Sequence, residues 1–143
     1  MREIKFRAWD ERNRKMSSTI TFRDLVNYYA HGEVNWPKHP TIMPVWIDII
    51  WMQYTGLKDK ANREIFEGDI IKLYHPNYYE YFKGTVSYDN KQAAFFCSGE
   101  AVNRITYSDN RPDVVVIHTY AYLFEHDEIE IIGNIYENPE LIK

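Results

Sequence analysis

The chain has 143 residues, of which 45% are hydrophobic, 27% charged and 16% aromatic, with a formal net charge of −4. This excludes an intrinsically disordered tail and a collagen-like repeat. A lone cysteine, Cys97, excludes both a disulfide-stapled miniprotein and a cysteine zinc cage.

The charge is unevenly placed. Residues 1–23 hold seven basic and three acidic side chains, and residues 124–143 hold one basic and six acidic. Opposite charges on neighbouring strands stabilise a sheet, so the simplest expectation pairs the first strand with the last. The alternative is two separate surfaces. The start, Met1-Arg2-Glu3-Ile4-Lys5, lacks the apolar run of a signal peptide. The apolar stretch Pro44–Met52 is too short to span a bilayer. A cytoplasmic protein with no membrane partner is therefore expected.

Period-two patterns dominate the chain. In Arg2–Trp9, Ile4, Phe6 and Ala8 fall on one face, with Lys5, Arg7 and Trp9 on the other. Asp10–Arg14 reads as a turn, and Lys15–Thr21 as a returning strand. Phe22, Leu25, Val26 and Tyr29 have helical spacing, with Thr21 as N-cap and Asp24 in the first turn. Four residues, Gly32, Pro37, Pro40 and Pro44, make 31–44 a loop. Val45–Tyr54 is a buried strand, and Thr55–Arg63 a polar connection. Strand character resumes over Glu64–Tyr74, with a bend or bulge at Gly68.

His75-Pro76-Asn77 is a turn. Tyr81–Tyr88 and Ala93–Cys97 form a hairpin about Asp89-Asn90-Lys91. Ser98–Asn110 gives no clear pattern. The apolar run Val114–Phe124 follows the turn at Arg111-Pro112-Asp113. Glu128–Tyr136 alternates into a last strand, and Asn138-Pro139-Glu140 opens a terminal turn or short helix. Short strands with frequent turns predict one mainly β domain over 1–143. It is expected to be a small SH3-like or related β-barrel, with an N-terminal hairpin and at most one or two short helices.

Three blocks carry a family resemblance. They are Ile4-Lys5-Phe6-Arg7-Ala8-Trp9-Asp10 with Lys15-Met16, then Met52–Asp59 continuing into Glu64–Ile70, and finally Ile131–Leu141. In this order they resemble the YopX family of phage and prophage proteins. The resemblance implies a β-barrel scaffold in a bacterial host cell, and it brings no catalytic or ligand residues. It departs at Ala61-Asn62, where the family commonly has Asn-Gly. Asn is the next-best residue for a left-handed backbone, so the turn is expected to survive.

Catalytic chemistry is thinly represented. Cys97 sits in the apolar run Ala93–Phe96, where a thiol packs as a small hydrophobe. His31, His39, His75, His118 and His126 show no zinc-protease or finger spacing. A metal-dependent hydrolase built from His118, His126 and Asp127 is the weakest alternative, and no metal site is assigned. Glu67 and Asp69 flank Gly68, and the simpler role for Asp69 is to bond backbone amides at the bend. The glycines are isolated rather than clustered, so no phosphate-cradling loop or cofactor is expected.

Two surfaces stand out. Lys5, Arg7 and Trp9 share a strand face with Arg12, Arg14 and Lys15 at its turn, a pattern suited to phosphates and stacked bases. Tyr74, Tyr78, Tyr79, Tyr81 and Phe82 form an aromatic segment suited to a protein partner or a homo-oligomer. A non-enzymatic interaction module is the leading expectation, with a nucleic-acid-binding accessory protein as its rival.

Overall fold

The computed structural model describes residues 3–24, 49–75, 79–106, 112–122 and 128–142. The chain divides into two compact units, Met1–Gly56 and Leu57–Lys143. Both are built from strands, as the alternating sequence requires.

In the first unit, β1 (Lys5–Asp10) is central. It pairs antiparallel with β4 (Ile49–Lys58) and with β2 (Lys15–Met16) and β3 (Ile20–Thr21). The expected single strand over Lys15–Thr21 is split by Ser17. Its hydroxyl accepts the Ala8 N–H at 2.8 Å, while its own N–H donates to the Ala8 carbonyl at 2.8 Å. The Asp10–Arg14 turn is present: Asp10 Oδ1 accepts the Asn13 N–H at 2.8 Å and Arg14 takes φ 51°. Thr21 and Asp24 form the expected cap. The Thr21 N–H donates to Asp24 Oδ2 at 2.8 Å, and the Asp24 N–H donates to Thr21 Oγ1 at 3.3 Å. Residues 22–24 are helical, and the rest of the expected helix and the 31–44 loop lie outside the described residues.

Burial corrects the alternation reading of β1. Trp9 is only 3% exposed, and its face of the sheet also holds Met52 and Tyr54, both buried. On the supposed core face Ala8 is buried, yet Ile4 is 51% exposed. The connection expected from Thr55 begins later, because β4 continues to Lys58 through Gly56 at φ 91°. Only glycine takes that backbone angle without strain, so the strand continues through it.

The second unit contains β5 (Glu64–Phe66), β6 (Asp69–His75), β7 (Tyr79–Asp89), β8 (Ala94–Thr106), β9 (Pro112–Tyr122) and β10 (Ile129–Asn134). Five of them form an antiparallel sheet ordered β10-β6-β7-β8-β9, curled into half a barrel. Its core comprises Ile65, Ile71, Leu73, Phe82, Val86, Phe95, Cys97, Ala101 and Ile129. The β7–β8 hairpin matches expectation, with Asp89 opposite Ala94 and Val86 opposite Cys97. The unpatterned stretch after Cys97 continues β8 as far as Thr106.

Gly68 lies at the corner between β5 and β6, at φ 77°. Its N–H donates to the Val86 carbonyl and its carbonyl accepts the Ile135 N–H, both at 2.9 Å. Asp69 fills the expected role: its buried carboxylate accepts the Phe66 N–H at 2.8 Å. At Gly133 the β10–β6 register shifts by a bulge. A methyl there would sit 2.7 Å from Asn138 Oδ1 and 2.8 Å from Leu141 Cδ1, so glycine lets the C-terminal segment fold back. That segment ends in a 3-10 helix, Pro139–Ile142.

Candidate functional site

The basic hairpin divides into two parts. Lys5 is held: its ammonium lies 3.0 Å from Glu3 and 5.5 Å from the centre of the Tyr54 ring, leaving 17% of the side chain exposed. Arg7 is half-buried opposite Met52. The buried Trp9 donates its indole N–H to Glu11 at 2.6 Å. An indole enclosed in this way has no open face for a base, which removes Trp9 from the expected stacking surface. Arg12, Arg14 and Lys15 are exposed at the turn.

The expected pairing of the basic first strand with the acidic last strand does not occur. β1 has β4 on one side and β2 and β3 on the other, while β10 pairs with β6. Two of the acidic residues bond within the second unit instead. Glu130 Oε2 meets the Lys60 ammonium at 2.8 Å, and Glu137 accepts the Asn134 side-chain N–H at 2.6 Å.

The aromatic segment is also divided. Phe82 is 0% exposed in the core and presents nothing to a partner, because β7 turns it inward beside Leu73. Tyr74 and Tyr81 are half-buried. The Tyr74 hydroxyl donates to Glu130 at 3.2 Å, and Lys60 lies 5.4 Å from its ring centre. Lys72 lies 5.1 Å from the Tyr81 ring centre. Tyr79 belongs to β7, and Tyr78 lies outside the described residues.

A densely bonded polar group in the second unit is one that the sequence reading passed over, Asp59. Its side chain is 0% exposed. Oδ1 accepts the backbone N–H groups of Ala61 at 2.9 Å and Arg63 at 2.8 Å. Oδ2 accepts Arg63 Nε at 2.8 Å and the Ile131 N–H at 3.3 Å. Burial alone pushes this carboxyl up, but the donated hydrogen bonds from Arg63, Ile131 and Ala61 outweigh it and hold the group below the usual carboxylate range. Arg63 also donates to the Ile131 carbonyl at 2.6 Å, and the Lys60 N–H donates to the Ile129 carbonyl at 2.9 Å. The 59–63 turn thus satisfies three backbone groups of β10. Asn62 at φ 64° supplies its left-handed residue, so the turn survives the departure noted above.

Cys97 is buried in the core, and desolvation pushes its thiol strongly up, so it stays protonated at neutral pH. His118 lies on β9 opposite Glu100 in β8, while His126 and Asp127 lie outside the described residues.

These features define a mainly β protein whose three sequence blocks are spent on strand pairing, corners and turn-to-strand latches. The chain belongs to the YopX protein family, whose model matches residues 5–143. No curated protein matches it. Among solved structures it is similar to protein EF1440 from Enterococcus faecalis, at 23% identity over 98% of both chains and a TM-score of 0.42.

Proposed function

We propose that the protein is a non-enzymatic interaction module, acting in the cytoplasm of a bacterium in a phage or prophage setting. Its contact face is the outer face of β6 and β7. The supporting observation is the pairing of Tyr74 and Tyr81 with Lys60 and Lys72, which places aromatic area beside cationic groups on one surface. Tyrosine offers large contact area at low entropic cost, and a lysine over its ring suits a partner that is apolar with acidic groups. The family setting and the absorption of the sequence blocks into architecture favour binding over catalysis. Cross-linking in host cells, followed by mass spectrometry, tests this. A partner captured by the native chain is lost from a folded Tyr74→Ala/Tyr81→Ala variant; equal capture by both removes the assigned face.

A second reading rests on the exposed cations Arg12, Arg14 and Lys15. Three phosphate contacts give a log–log salt slope of about −2 to −3 for oligonucleotide binding. With Trp9 enclosed, this contact carries charge without stacking. Fluorescence anisotropy decides it: no binding at low salt ends the nucleic-acid reading.

A further inference from the structure

The curled sheet has two ends, β10 and β9, and they differ in what they present. At β10 the Ile129 carbonyl, the Ile131 N–H and the Ile131 carbonyl are taken by the 59–63 turn. Among the described residues β9 pairs with β8 alone, along its whole length from Phe96↔Tyr122 to Thr106↔Pro112. Successive residues of a strand send their backbone groups to alternate sides, so the far edge of β9 carries about five residues' worth of donors and acceptors.

The sequence of β9, Pro-Asp-Val-Val-Val-Ile-His-Thr-Tyr-Ala-Tyr, bears few of the usual guards against strand addition. It is 11 residues long, its proline is at the first position, and it has no lysine or arginine. Its pairing with β8 runs in continuous register without a bulge. Asp113 is its one acidic residue, and five of its residues are β-branched: Val114, Val115, Val116, Ile117 and Thr119.

We infer that β9 is the interface with a second copy of this chain, formed by antiparallel strand addition about a two-fold axis near Ile117. In that arrangement Asp113 meets Ala121, Val114 meets Tyr120, Val115 meets Thr119 and Val116 meets His118. The one carboxylate never faces its own copy, and β-branched residues lie opposite aromatic or β-branched ones, which is favourable pairing. A parallel pairing of the same two edges would bring Asp113 beside Asp113, whereas the antiparallel two-fold keeps the carboxylates apart and closes on itself. About this two-fold the β9 sequence opposes no like charges to one another, so a second copy is the occupant to which the edge is matched. This surface is separate from Tyr74 and Tyr81, so a dimer leaves the proposed contact face available.

Light scattering across a range of concentrations, paired with hydrogen exchange, tests the inference. The full chain is expected to reach twice its 17.2 kDa mass, with β9 amides losing protection on dilution. Val116→Lys, introduced twice by symmetry, is expected to weaken the dimer by about tenfold or more while the far-ultraviolet spectrum is retained. A monomer at every concentration overturns β9 pairing and leaves the Tyr74–Tyr81 reading intact. A dimer whose β9 exchange ignores dilution, or one untouched by a folded Val116→Lys chain, also overturns it. If Val116→Lys does not fold, the exchange measurement on the native chain decides alone.

Discussion

Two turns in this chain are written in nearly the same letters, Asp10-Glu11-Arg12-Asn13-Arg14 and Asp59-Lys60-Ala61-Asn62-Arg63. Both begin with an aspartate that accepts backbone N–H groups, and both contain a left-handed residue, Arg14 at φ 51° and Asn62 at φ 64°. Their surroundings separate them. Asp10 bonds Asn13 through both its oxygens, in an exposed turn. Asp59 is enclosed and reaches a strand 72 positions away in sequence, and its turn-mate Arg63 donates to that same strand. Turn chemistry therefore sets the local path of the chain, and the neighbouring element decides whether the turn is a latch or a tip.

The largest expected difference follows from removing each aspartate. Asp59→Ala strips the acceptor from the N–H groups of Ala61, Arg63 and Ile131, and is expected to lower stability by about 2–4 kcal/mol. Asp10→Ala removes the two exposed bonds to Asn13 and is expected to cost about 1 kcal/mol or less. Urea-denaturation midpoints compare the two. Equal losses would mean that the Asp59–Ile131 connection contributes nothing beyond the turn itself.

Acid provides the next contrast. Because the Asp59 carboxyl is held below its ordinary value in the folded chain, its contribution is complete above the unfolded value of about 4. Protonation of the unfolded chain starts there, and the contribution disappears as pH falls through the lower folded value. The native chain is therefore expected to lose stability below about pH 4 more steeply than Asp59→Asn, which has no charge to titrate at this site. Matching acid slopes would show that Asp59 is not the group that links folding to protons.

What could be read from sequence follows the same division between local and distant. The β7–β8 hairpin was legible because Asp89-Asn90-Lys91 separates two alternating runs that pair with each other. The bond at Asp69 was legible because its acceptor and the Phe66 donor are three residues apart. The Asp59–Ile131 latch was not, since nothing near Asp59 names a partner in β10. The basic stripe misled for a related reason. Lys5 looks free on β1 alone, and only the pairing with β4 brings the Tyr54 ring beneath it. The repeated Asp-x-x-Asn-Arg spelling was a visible signal for both turns, but not for the different burial of their aspartates.

The smallest contrast isolates the turns from everything they touch. A left-handed backbone costs a branched or long side chain roughly 1 kcal/mol relative to glycine, whereas asparagine tolerates it because its short polar side chain bonds locally. Arg14→Gly is therefore expected to raise stability by up to about 1 kcal/mol, with some of the gain lost to the greater freedom of glycine in the unfolded chain. Asn62→Gly is expected to change it by less than about 0.5 kcal/mol, restoring a residue better suited to the angle at a position where the resident is already suited. Thermal or urea unfolding of the two single variants measures this directly. A larger gain at Asn62 than at Arg14 would mean that the turn bonded to β10 holds its left-handed residue under more strain than the free-standing one, and that β10, rather than the Asn side chain, imposes the φ of 64°.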